Sequence, residues 1–284
     1  MEEKRVSLVL GSGGARGMAH IGVIRWLEEH NYKIESISGC SMGALVGGFY
    51  AAGKLDIFTK WIIEVDGIDL LKLLDLSGSG GLVSGNKIVD KMQELLGRNY
   101  LIEELPIKFT AVATDIDAEK EIWINKGPML DAIRASTSLP LFFAPYVLNG
   151  RSLVDGGTLN PVPIAPTFHD STDMIIAVNL GGEMLPKFDL QIIEENKTYY
   201  SKIKAYISKI SLPESIVEED GMYAVANKAF ESMQSTIARM KLSAYPPDVE
   251  IIIPKNLCDT FDFDKVEEVI EYGYNMCDKT FAKK

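Results

Sequence analysis

Cysteine is scarce: three residues, Cys40, Cys258 and Cys277, in a chain of 284. They are too few and too far apart for a disulfide framework, and no CxxC or Cys/His spacing suggests zinc. Neither a disulfide scaffold nor a metal site is expected, and a reducing compartment fits. Positive charge is also short. With 29 Lys and Arg against 40 Asp and Glu the formal net charge is -11, which excludes the clustered basic surface of a nucleic-acid binder. The same acidity removes any long-range pull toward anionic lipid, so contact with a membrane surface is expected to be transient and carried by apolar side chains at short range. Long hydrophobic runs are missing too. The longest, MGALVGGFYAAG after Ser41, falls short of the ~20 residues of a membrane-spanning helix. The opening MEEKRVSLVLGSGG has neither the apolar stretch nor the cleavage site of a signal peptide. A cytoplasmic protein, at most peripheral at a membrane, is the expectation.

What the chain does have is 46% hydrophobic residues, enough for a sizeable core, in a regular alternation of patterns. VSLVL, residues 6–10, is a short apolar run that breaks into GSGGARG, and MAHIGVIRWLEEH then repeats apolar residues at helical spacing through Met18, Ile21, Ile24 and Leu27. IESISGC predicts a second strand, and SMGALVGGFYAAGK a second helix closed by Gly53. Residues 55–75 read as helical, SGSGG as a flexible break, and Ser84 as the cap of NKIVDKMQELLG. IKFTAVAT and EIWIN predict strands joined around DAEK, PMLDAIRAS a helix, and Asn149-Gly150 a hairpin turn. MIIAVNL predicts a buried strand by its continuous apolarity. Residues 183–220, charged and irregular, are either a lid or capping insertion or a plain surface excursion. VEIIIP and FDKVEEVIEYGYNMCDKTF supply a last strand and an amphipathic helix. Strands alternating with helices to the end imply an α/β fold, a three-layer α/β/α sandwich with a mainly parallel central sheet, in one domain.

The chemistry starts at GCSMG, a GxSxG spacing with Ser41 between Gly39 and Gly43. A strand that turns directly into a helix strains the backbone at the turn and leaves that side chain standing clear at the carboxyl edge of the sheet. Bulky neighbours would collide there, and the two glycines remove the collision. Ser41 is thereby exposed as a candidate nucleophile at a helix N-terminus, where negative charge is favoured. The first strand ends in glycines at the same edge, and GSGGARG offers backbone N–H groups that can point into one cavity, as an oxyanion hole requires. A dinucleotide-binding loop is the competing reading. It is disfavoured because Arg16 stands at the third glycine position, and the second strand ends in a serine elbow where that fold wants an acidic residue.

A serine nucleophile needs a base. Of the three histidines, His20 lies one turn beyond the glycine loop and suits packing, His30 lies in a polar helix end, and His169 lies in a loop without a motif. Asp155 is the stronger candidate. It closes an apolar strand and is followed by Gly156 and Gly157, which let another backbone approach its carboxylate. A plain Asp-Gly turn is the bland alternative.

GSGGARGMAHIGVI, GCSMG and VDGG, in that order, resemble the three signature blocks of the patatin-like phospholipases, and GLVSGNKI, ASTSLPLFFAPY and DGGTLNPVP resemble the segments between them. The resemblance weakens after about residue 183. It implies a serine–aspartate dyad without histidine, Ser41 as nucleophile and Asp155 as base, and an oxyanion hole from the N–H groups of Gly13 and Gly14 with Arg16 bracing that loop. Ser12 departs from the pattern, standing where the family often has glycine. The expected activity is hydrolysis of a lipid or fatty-acyl ester through an acyl-enzyme, with no cofactor and no metal. TSLPLFFAPY, with Leu139, Leu141, Phe142, Phe143 and Tyr146, is either an acyl-chain groove or core. Two rival readings stay open: a lipid acyltransferase on the same dyad, and a catalytically silent lipid-binding protein.

Overall fold

The computed structural model describes residues 3–65, 67–73, 82–186, 222–260 and 262–283. The SGSGG break and nearly all of the 183–220 segment lie outside them. Strand β1 (Lys4–Leu10) passes through the glycine loop and a 3-10 turn into α1 (Ala19–Glu29); β2 (Tyr32–Cys40) turns at Ser41 into α2 (Met42–Ala51). Helices α3 (Leu55–Glu64), α4 (Gly67–Lys72) and α5 (Asn86–Leu96) precede the hairpin β3 (Lys108–Asp115) and β4 (Lys120–Ile124). Then follow α6 (Met129–Ser136), the hairpin β5 (Tyr146–Leu148) and β6 (Arg151–Asp155), β7 (Met174–Gly182), α7 (Met222–Ala244), β8 (Val249–Pro254) and α8 (Val266–Phe281).

The sheet has β3, β2, β1, β7 and β8 side by side and parallel, with β4, β5 and β6 antiparallel at one end. Successive residues of a strand face opposite sides, and β1 uses both. Val6, Leu8 and Leu10 enter the main core with α1, α2 and α8, whereas Val9 joins a smaller core with Val162, Ile164, Ala177 and the α7 residues Ala238 and Leu242. This is the three-layer α/β/α sandwich expected. The Asn149-Gly150 turn has φ of 51° and 75°, the double left-handed geometry of a tight hairpin.

Two local expectations are corrected, and one helix was not anticipated. The 55–75 stretch is broken: α3 ends with Val65 extended, and α4 begins at Gly67. Ser84 does not cap α5. Gly85, in the left-handed region at φ 76°, holds that position, and Ser84 Oγ accepts from the Asn86 amide at 3.2 Å. Helix α7 was not expected, because its inward face carries Glu231, Gln234 and Ser235, which erase the apolar stripe that identifies a helix.

Helices α1 and α8 meet backbone to backbone: a Cβ on Gly22 would run into the Ile270 carbonyl, and one on Gly273 into that of Ala19. Gly22→Ala is therefore expected to destabilise the fold by about 1–3 kcal/mol through overpacking, despite alanine's better helix propensity. Chemical denaturation measures it, and a stabilised variant would refute the close crossing.

Candidate active site

Strand β3 has two edges. Residues 111–115 pair with β4 on one of them, and residues 108–112 pair with β2 on the other. Because 113–115 also pair with β6, β6 must lie on the β2 edge, directly beyond the point where β2 stops. Val112 is opposite Cys40 and Ala113 opposite Asp155. The carboxyl end of β2, running one way, therefore meets the carboxyl end of β6, running the other, at adjacent positions of a single strand. Ser41 and Asp155, 114 positions apart in the chain, come together through that register.

Ser41 has φ 55° and ψ −122°, a conformation that costs a non-glycine residue on the order of 1–3 kcal/mol. The surroundings enforce it. A Cβ on Gly39 would stand 2.5 Å from the Gly43 carbonyl oxygen, and one on Gly43 would collide with that of Leu10. The Ser41 amide donates to Ser136 Oγ at 2.9 Å, and Ser136 Oγ donates in turn to the Val112 carbonyl at 2.6 Å, so a buried serine from α6 ties the turn to β3. Two residues on, the Ser138 carbonyl accepts from the Asp155 amide at 2.9 Å, and Arg134 Nη1 holds Ser138 Oγ at 2.6 Å. One short stretch, Ser136 to Ser138, thus fixes both backbones. The sequence offered TSLPLFFAPY, which overlaps this stretch, as either an acyl-chain groove or core. That run is half-buried, with Leu141 53% exposed at φ 69°.

Asp155 is fully buried. Its Oδ1 accepts from the Gly157 amide at 2.7 Å and lies 3.7 Å from Cys40 Sγ; its Oδ2 has no regular hydrogen bond among the described residues. Burial pushes the carboxyl up from 3.8 to about 6, opposed by the Ser41 hydroxyl, the Gly157 amide and the Cys40 thiol. Ser41 is thus close enough to act on the carboxylate, though outside regular hydrogen-bond geometry. Burial and the Asp155 charge hold the Cys40 thiol well above its ordinary value, so it faces the carboxylate as a neutral donor.

The glycine loop arrives from β1. The Gly11 amide donates to Val178 at 3.1 Å, that of Ser12 to Pro161 at 2.8 Å, and that of Ala15 to Thr260 at 2.9 Å. The two amides between them, Gly13 and Gly14, donate to no acceptor among the described residues, as befits the cap and first residue of a 3-10 turn. Arg16 follows two positions beyond Gly14. Its guanidinium reaches the Cys258 carbonyl at 3.0 Å and Glu231 at 3.3 Å, fastening the loop to the segment after β8 and to α7. Gly14, at φ 56°, has Thr260 where a side chain would go.

His20 is buried with Nε2 2.8 Å from the Gly11 carbonyl, a neutral donor whose imidazole burial lowers to about 4. His30 stacks on Trp26 with centroids 3.9 Å apart, and His169 is exposed. Among the described residues no group of His, Cys, Asp and Glu could hold a metal. Sequence reasoning missed Ser136, Ser138 and Gln234: the two serines lie within ASTSLPLFFAPY but were given no role there, and Gln234 lies in no motif that it weighed.

A family model described as patatin-like phospholipase matches residues 8–168. A Mycobacterium tuberculosis H37Rv protein, named as an uncharacterized NTE family protein, is 35% identical over 95% of this chain and 89% of its own length. Lysophospholipase NTE1 of Pyricularia oryzae is 27% identical over 95% of this chain but 18% of its own length, and human patatin-like phospholipase domain-containing protein 6 is 25% identical over 95% and 20%. The crystal structure of VipD from Legionella pneumophila superposes with a TM-score of 0.57 at 16% identity, covering 100% of this chain and 67% of that one, a likeness of fold.

Raising a buried carboxyl from 3.8 to about 6 costs the folded state about 3 kcal/mol at neutral pH. The folded protein binds the proton more tightly, so this cost is absent below pH 4 and grows as pH rises to 6. The stability of Asp155→Asn relative to wild type is therefore expected to be about 2–3 kcal/mol more favourable at pH 8 than at pH 4, read from denaturant melts. An equal difference at both values would mean that Asp155 ionises normally.

Proposed function

The chain belongs to the patatin-like phospholipase family, and from that premise we propose that it is a serine lipid acyl hydrolase of the phospholipase A, lysophospholipase or carboxylesterase kind. Ser41 attacks the ester carbonyl carbon while Asp155 takes its proton. The developing oxyanion is received by the amides of Gly13 and Gly14, each such donor contributing about 3 kcal/mol to the transition state. Asp155 passes the proton to the departing alcohol, and water then hydrolyses the acyl-enzyme. The observation that carries this reading is the register on β3, Val112 opposite Cys40 and Ala113 opposite Asp155, which sets the serine turn beside a buried carboxylate.

An aspartate of ordinary acidity is a weak base for a hydroxyl; one lifted to about 6 by desolvation is better matched to neutral pH and still ionised there. The donors around it hold it near that value. No helix among the described residues is long and apolar enough to cross a membrane. Lipid substrate would be met at a surface, and α7 turns the exposed apolar side chains Val225, Met233 and Met240 outward.

The test is a screen of p-nitrophenyl esters, lysophospholipids and phospholipids against wild type, Ser41→Ala and Asp155→Asn, with product analysis in the presence and absence of an acceptor alcohol. Either substitution is expected to lower kcat on the order of 1,000-fold or more. A fluorophosphonate is expected to label Ser41 in wild type. Full activity in Asp155→Asn would place the base elsewhere. The kcat/KM of wild type is expected to rise with pH to a plateau through an apparent pKa near 6, since the base must be ionised; a profile flat from pH 5 to 8 would contradict it.

A further inference from the structure

The inward face of α7 carries Glu231, Gln234, Ala238 and Leu242, three or four residues apart and so on one side of the helix. Ala238 and Leu242 are buried against Val9, Val162 and Ala177, and Glu231 is held by Arg16 and, at 2.8 Å, by Thr260 Oγ1. Gln234 lies between these anchors. Its amide nitrogen is buried without a hydrogen-bond partner among the described residues, a costly state for a polar group. That nitrogen, Ser12 Oγ and Asp155 Oδ1 all lie within 3.0 Å of the point where a Cβ on Gly157 would stand. Ser12 and Gln234 also line a cavity of about 20 Å³ together with Arg16, Asn179, Glu231 and Ser235. The space suits one ordered water, and its wall is polar enough to hold it. Neither Ser41 nor Asp155 lines the cavity, so Ser12 and Gln234 are the side chains common to its wall and the surroundings of the carboxylate.

We propose that this cavity is a water site and that Gln234, reaching from its wall to the surroundings of the carboxylate, is the positioning residue that passes its water on to Asp155 for hydrolysis of the acyl-enzyme. The inference rests on the Ser41–Asp155 reading above. In that step the water oxygen bonds to the acyl carbon as Asp155 takes one of its protons. The carbon–oxygen bond to Ser41 then breaks, Asp155 returns the proton to Oγ, and the fatty acid leaves. A primary amide suits the task because its carbonyl accepts from water, its nitrogen donates, and it does not titrate. Gln234 acts on deacylation alone, since in acylation Asp155 takes its proton from Ser41 itself.

Stopped-flow hydrolysis of p-nitrophenyl butyrate by wild type and Gln234→Leu tests this. Steady-state turnover is expected to fall on the order of 10- to 100-fold, with a burst of p-nitrophenolate and a butyryl adduct on Ser41 that outlives the one in wild type. The rate of fluorophosphonate labelling at Ser41, which reports acylation alone, is expected to stay within about threefold of wild type. Gln234→Asn, which withdraws the amide by one methylene, is expected to show the same pattern more weakly, and it keeps the question open to experiment if the leucine variant does not fold. Labelling and turnover that fall together without an adduct would make Gln234 merely structural, and unchanged turnover would remove it from the reaction. Failure of wild type to be labelled at Ser41 would instead overturn the site reading beneath this one.

Discussion

One edge of β3 is shared end to end by two strands of opposite direction, and the candidate site follows from that pairing. Val112 and Ala113 are consecutive, and their partners are Cys40 and Asp155. A strand edge offers its backbone groups in fixed order, so the distance between the two chain ends is set by the sheet rather than by side-chain packing. Gly156 completes the fit: a Cβ there would overlap the Val112 carbonyl and approach Cys40 Sγ to 3.1 Å. A residue with any side chain at that position would push the carboxylate away from the serine turn.

The arrangement is held against its own local preferences. Ser41 sits in the left-handed region, and Asp155 keeps a carboxyl in a place with no water-exposed surface. Each is an unfavourable local state of a few kcal/mol. What opposes them is distributed: Ser136 grips the turn, the Ser138 carbonyl grips the Asp155 amide, and Arg134 grips Ser138 and, at 2.5 Å, the Ser84 carbonyl. Arg134 lies only 6% exposed, so these bonds act in a low-dielectric interior where they are stronger than in water. The glycine loop is treated alike, with Arg16 binding a carbonyl 242 positions away.

That distance explains what could be read from the chain and what could not. Gly39 and Gly43 were legible because the reason for them is local: a strand-to-helix turn cannot house a side chain at either place. The alternation of strands and helices was legible for the same reason, as each element carries its own period. Asp155 was singled out by its neighbouring glycines, although nothing in VDGG states which strand it will pair with. Ser136 and Ser138 were given no role, since a serine at a helix end or just beyond it has many uses and only the fold assigns one. Helix α7 was lost because Gln234, Glu231 and Ser235, turned toward the interior, break the periodic apolar signal by which a buried helix face is recognised.

The choice of aspartate over histidine in the proposed dyad has a physical basis that His20 illustrates. Both groups are fully buried within a few residues of the sheet's carboxyl edge, and the same desolvation acts on each. It disfavours whichever form is charged. For imidazole that is the protonated form, and His20 falls to about 4, far too weak a base to hold a proton through a reaction at neutral pH. For a carboxyl it is the ionised form, and Asp155 rises to about 6, toward the range in which a general base works best. A dry site that ruins histidine therefore improves aspartate. A histidine in the place of Asp155 would need a second carboxylate to restore its basicity, and the candidate base has no ion-pair partner among the described residues. The proposed dyad needs no third member, because burial already does that member's work.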